Sequence, residues 1–136
     1  MKKVIVFGTF DGLHEGHLNF FEQAREYGDY LLVVIGRDST VVNVKKRLPK
    51  HNEKERLSSV LRCGLVDEAR LGNEGTSPYK VIEETKPDII CLGYDQIYFT
   101  DKLESALKNM GLENIEIKRL KAYKPEIYHS SIINNK

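Results

Sequence analysis

Residues 4–7, Val-Ile-Val-Phe, are uniformly apolar, and they break straight into Gly8-Thr9-Phe10-Asp11-Gly12-Leu13-His14-Glu15-Gly16-His17. This stretch constrains the fold more than any other. A short run with no polar face suits a central parallel strand covered on both sides. The glycines let the backbone turn tightly and approach a ligand closely. Leu18, Phe21 and Ala24 then recur at helical spacing, with Gly28 as a stop. A strand therefore hands over to a helix through a glycine-rich turn that carries two imidazoles. A helix start exposes unpaired N–H groups and the positive end of the helix dipole, which together make an anion site.

The same alternation continues along the chain. Residues 31–35 read as a second strand, ending at Gly36-Arg37-Asp38. Residues 41–50 carry Lys45, Lys46, Arg47, Pro49 and Lys50 without a clean period, and they read as a basic loop. Two readings of it stand: a solvated charge run, or a phosphate-facing loop bordering the same crevice as the first turn. Asn52 with Glu55 marks a helix start, and Leu57, Val60 and Leu61 are expected on that helix's buried face. Residues 66–71 form a third strand. Ser77-Pro78 opens a helix that Lys86-Pro87 ends, and Tyr79, Val81 and Ile82 face inward. Residues 89–92 are a fourth strand that stops at Gly93-Tyr94-Asp95-Gln96. Residues 101–110 are helical, capped by Asp101 and stopped by Gly111, with Leu103, Ala106 and Met110 inward. Ile115, Ile117 and Leu120 suggest a half-buried edge strand. Strands alternating with helices predict an α/β fold, a Rossmann-like doubly wound parallel sheet in a single domain spanning residues 1–136.

Composition narrows the function. The chain has 136 residues and a formal net charge of +1, so one domain is expected and nothing calls for a nucleic-acid partner. No apolar run approaches the ~18 residues that cross a bilayer, so no membrane association is expected. The apolar run after Met1-Lys2-Lys3 is too short for an export signal. Cys63 and Cys91 lack metal-ligand spacing and lie in apolar surroundings. They read as buried free thiols of a reduced cytoplasm.

Thr9-Phe10-Asp11 followed by His14-x-Gly16-His17 resembles the signature of the cytidylyltransferase-like nucleotidyltransferase superfamily. Three further segments match it in order: a basic loop leading to Glu55-Arg56, then Leu92-Gly93-Tyr94-Asp95-Gln96, then Ser130-Ser131-Ile132. Within the superfamily, Gly-Tyr-Asp-Gln and Lys-Pro-Glu-Ile-Tyr-His-Ser-Ser are most similar to the archaeal FAD synthetases. The glycerol-3-phosphate cytidylyltransferases are near neighbours, with an arginine where this chain has Lys124.

The resemblance implies strand order 3-2-1-4-5 and a homodimer. It implies transfer of a nucleoside monophosphate from ATP or CTP to a phosphate-bearing acceptor, FMN first, with release of pyrophosphate. A glycerol-3-phosphate or other alcohol-phosphate acceptor is the alternative, and a nucleotide- or flavin-binding module without turnover is a different class. The implied catalytic residues are His14, His17, Lys45 and Arg47. Gly8, Thr9, Phe10, Asp11, Arg56, Gly93, Asp95, Ser130 and Ser131 are implied at the nucleotide, and Tyr94, Tyr123, Lys124 and Tyr128 at the acceptor. A divalent cation such as Mg2+ would be held mostly by substrate phosphates, with Asp11 as a protein ligand; Asp11 equally suits orienting a histidine or a loop amide. Arg56 also reads as a surface helix charge, Asp95 as a turn residue and Ser130 as a helix cap.

Overall fold

The computed structural model describes residues 1–73, 78–94, 96 and 102–121. Five strands form one parallel sheet: β1 (Lys3–Gly8), β2 (Tyr30–Ile35), β3 (Glu68–Leu71), β4 (Ile89–Leu92) and β5 (Glu116–Arg119), in the order β3-β2-β1-β4-β5. The expected order is the one observed. Register runs through β1, where Val6 pairs with Val33 on one side and Cys91 on the other. All four central residues of β1 are buried, as their unbroken apolar character requires.

Helices cover both faces. On one side α1 (Glu15–Arg25) and α3 (Glu53–Arg62) bury Phe21, Ala24 and Val60 against Val4, Val6, Leu31, Val33 and Ile35. On the other, α4 (Pro78–Thr85) and α5 (Leu103–Asn109) bury Val81, Ile82, Leu103 and Leu107 against Ile5, Phe7, Leu32, Val34 and Ile90. All neighbouring strands pair in parallel, so their C-terminal ends lie along one edge of the sheet.

Three local expectations change. The sequence reads as a loop over residues 41–50, yet α2 runs over Asp38–Lys45. Thr40, Val41 and Val42 are β-branched and poor helix formers, so the period is hidden; burial of Val41 and an acidic first turn favour the helix. It stops at Lys46, in the left-handed region at φ 63°. On α3, Leu61 is exposed at 48%, and Arg56 takes a buried position instead, one turn before Val60. Cys91 is buried, with its thiol pKa pushed up to about 12 by desolvation, whereas Cys63 is half-buried. Ser77 and Asp101, the expected caps, lie outside the described residues.

Candidate active site

The turn after β1 is shaped by a ring rather than by open space. Phe10 adopts φ 53°, an uncommon conformation for a bulky residue. Its ring is buried and packs beneath Gly8, where an added Cβ would meet the ring at 2.6 Å. Gly8 is thus required by close approach. Phe10 also stands edge-on to His17, with centroids 5.5 Å apart. Its side chain serves as a platform, joined to the core through Phe20 and Phe21.

His14 is the N-cap of α1. Its Nδ1 accepts from the Gly16 N–H at 3.0 Å. A backbone amide can only donate, so the ring hydrogen of the neutral imidazole lies on Nε2. His14 therefore presents a donor at a helix N-terminus. The His17 ring stacks on it with centroids 4.0 Å apart and an interplanar angle of 24°.

Asp11, in the same turn, points to the α2–α3 connection. Its side chain is 4% exposed. Oδ2 accepts from the Lys50 N–H at 2.7 Å, and Oδ1 accepts from both the His51 N–H and the His51 ring Nδ1 at 2.9 Å. Burial alone would raise the Asp11 pKa. The Lys50 amide, the His51 ring and the His51 amide together outweigh it and hold the carboxyl below its ordinary value of 3.8. Of the two readings of Asp11, the geometry favours the one that orients a histidine and loop amides. A carboxylate so buried and so fully bonded does not fit direct metal ligation. Among the described residues, no group of three or more His, Cys, Asp or Glu could hold a metal ion.

Arg56 was implied at the nucleotide phosphates; its guanidinium is instead wholly enclosed, at 0% exposure. It donates from Nε to His51 O, from one terminal nitrogen to both Thr9 O and Gly36 O, and from the other to Asp38 Oδ1 at 2.7 Å. Four acceptors, from the turns after β1 and β2, the start of α2 and the α2–α3 connection, converge on one cation. Asp38 and Glu53 cross-bond at the starts of α2 and α3, and Arg37 adds an ion pair to Glu53. Arg56 thus ties together the backbone beneath the site. Lys45, the last residue of α2, and Arg47, on the α2–α3 connection, are exposed.

On the β4 side, Gly93 and the exposed Tyr94 follow the strand. Gln96 reaches back, accepting from Gly93 N and donating through Nε2 to Phe7 O at 3.2 Å. Arg119, at the end of β5, donates to Gly93 O and Gln96 O. The ends of β1, β4 and β5 are thereby joined at the position where the strand order reverses, which is where open α/β sheets bind ligands. Asp95, Tyr123, Lys124, Tyr128, Ser130 and Ser131 lie outside the described residues.

The cytidylyltransferase-like family model matches residues 5–136. The chain belongs to the cytidylyltransferase-like family. It is 43% identical to the FAD synthase of Methanohalophilus mahii over 88% of this chain and 82% of that protein. It is 38% identical to the FAD synthase of Thermoplasma volcanium, over 100% of this chain and 94% of that one. A solved structure described as a lipopolysaccharide core biosynthesis protein from Thermoplasma volcanium superposes with a TM-score of 0.84 at 39% identity, covering 91% of this chain and 99% of that one. The fold, with its five parallel strands in the order 3-2-1-4-5, is that of the family. Among the described residues, no helix is long and apolar enough to cross a membrane.

Sequence reading missed His51, Gln96 as a brace, Asp38 and Arg119. His51 lies just before a helix cap, with no motif around it and no periodicity to mark it. Nothing in the order of residues told that Asp11 would fold back on it from 40 positions away.

Proposed function

We propose that this chain, as one nucleotidyltransferase domain, transfers the adenylyl group of ATP to FMN, forming FAD and pyrophosphate. A phosphate oxygen of FMN attacks the α-phosphorus, and the bond to the bridging oxygen of the departing pyrophosphate breaks. Both reactants are anions and the attacking phosphate is already ionised near neutrality. The site therefore has to align them and offset charge growing on the leaving oxygens, with no general base. The observation that carries this reading is the first turn. His14 carries its donor hydrogen on Nε2 at a helix N-terminus, and His17 is stacked against it. An oxyanion is what such an arrangement suits. The similarity to FAD synthases over most of both chains supports FMN as the acceptor.

In this reading Lys45 and Arg47 close on the β- and γ-phosphates. Thr9, Gly8 and Gly93 line the crevice with backbone, Asp95, Ser130 and Ser131 meet the nucleotide, and Tyr94, Tyr123, Lys124 and Tyr128 meet the flavin. A magnesium ion bound with the triphosphate would be held mostly by substrate phosphates and would offset their charge.

The test is direct. Purified protein is incubated with FMN, glycerol 3-phosphate or phosphopantetheine, each with ATP and with CTP, and pyrophosphate is measured. FMN with ATP should be the productive pair. Turnover with glycerol 3-phosphate and CTP but none with FMN would overturn the acceptor.

A further inference from the structure

His51, a histidine outside the motif, carries the further inference, which rests on the reading of the site as a nucleotidyl-transfer crevice. We propose that His51 is a binding residue of that crevice whose Nε2 accepts a hydrogen bond from a substrate hydroxyl, on the ribose of the nucleotide or on the ribityl chain of the flavin.

His51 is held at three points. Its N–H and ring Nδ1 meet Asp11, and its carbonyl accepts from Arg56 Nε at 3.0 Å. Such anchoring exceeds what a surface loop residue needs, and yet the ring is 50% exposed, so it is not there to fill the core. Its Cε1 lies beside the signature turn, 3.9 Å from where a Cβ on Gly12 would stand.

The chemistry of the ring follows from its partner. An ionised carboxylate only accepts, so Nδ1 must be the nitrogen that carries hydrogen. In the neutral imidazole the opposite nitrogen, Nε2, then offers a lone pair. His14 is the reverse, since its Nδ1 accepts from an amide and its Nε2 donates. His14 and His51 thus present opposite polarity at this edge. A phosphate oxygen suits His14 and is repelled by the lone pair of His51. The substrate groups that lie next to the phosphates and carry hydrogen are sugar and ribityl hydroxyls, and these suit His51.

His51→Asn is the informative variant. It keeps an N–H donor within reach of Asp11 and removes the far edge of the ring. ATP and FMN affinities are measured separately, the latter by flavin fluorescence, so the result does not depend on turnover, and the ATP arm does not depend on which acceptor is correct. KM values are taken where turnover is found. The expected result is a loss of about tenfold in affinity for one substrate, the worth of one hydrogen bond, with a larger effect on KM than on kcat. 2′-Deoxy-ATP, 3′-deoxy-ATP and FMN analogues lacking single ribityl hydroxyls identify the donor. The wild type should lose the same factor with one of them, and His51→Asn should be indifferent to that deletion. His51→Gln, which can place an oxygen near the Nε2 position, should recover part of the loss. Unchanged affinity of His51→Asn for both substrates would overturn the proposal. So would a penalty for every deoxy analogue as large in the variant as in the wild type.

Discussion

At the N-terminal edge of the sheet, Asp29, Asp67 and Asp88 each stand one residue before or next to the start of a strand. Each accepts an N–H from the neighbouring strand or its lead-in: Lys2 N at 2.6 Å, Leu31 N at 2.8 Å and Lys3 N at 2.7 Å. At the C-terminal edge, Asp11 does something outwardly similar, accepting N–H groups from Lys50 and His51. The difference lies in what else is held. Asp67 adds only the exposed Arg25, and the other two staple strands. Asp11 also fixes an exposed imidazole, next to a turn where a second histidine caps a helix. One edge uses carboxylates to close the sheet. The other uses one to aim a side chain. The buried Arg56 belongs to the second edge but works in the manner of the first, because every group it meets is protein.

On that contrast, the largest effect on folding comes from Arg56. Arg56→Ala strands three carbonyls and Asp38 and leaves a void beneath the turn. It should lower stability by about 3–5 kcal/mol, a large share of a typical domain's total. Arg56→Lys offers fewer and differently directed donors and should lie between. The check is chemical denaturation without nucleotide. A fully stable Arg56→Ala that fails only in ATP affinity would restore the phosphate-holding role implied by the sequence.

His14 should show the opposite balance. His14→Ala is expected to reduce kcat by about 10²–10³-fold, roughly 3–4 kcal/mol of transition-state stabilisation. It also removes an N-cap, at a cost of about 1 kcal/mol in folding. His14→Asn separates the two effects, since Asn caps well but does not reproduce the Nε2 donor. Stability should return and activity should not. Recovery of both together would mean that His14 acts only by shaping α1.

The N-terminal edge supplies the counter-test. Asp67→Ala frees the Leu31 amide and Arg25, and should cost about 1–2 kcal/mol in stability. Its kcat and KM, measured well below the melting temperature, should match the wild type. A kinetic defect without a stability defect would erase the distinction between the edges.

The distinction was only partly visible in the sequence. Residues 4–7 and 89–92 declare buried strands because four apolar residues in a row leave no alternative face. Asn52 and Glu55 declare a helix start, and both halves of that capping box form. His14 and His17 were legible because they share one short turn. Arg56 was legible as important but not in its role, since a sequence says nothing of burial and an arginine on a helix is ordinarily solvated. The α2 helix was hidden by β-branched residues whose propensity the tertiary packing of Val41 overrides. The pairing of Asp11 with His51 depends on a crossover and two helices returning to the same edge, and no local rule encodes it.

The smallest effect is on acid stability, and it sharpens the comparison at Asp11 itself. Its folded pKa lies below its ordinary value of 3.8. Its contribution is therefore fully present above the unfolded value and is lost as pH falls through the folded one. Asp29 is lowered in the same direction by the Lys2 and Asp29 amides, so acid loosens both edges. The two variants Asp11→Asn and Asp29→Asn tell them apart. Each should melt lower than the wild type near neutrality, and each should lose less further stability between about pH 5 and pH 2. Only Asp11→Asn should expose the Arg47–Leu48 bond to trypsin at neutral pH, because only Asp11 holds the end of that connection in place. Equal cutting of the two variants would show that the Lys50 and His51 bonds to Asp11 do not secure the loop.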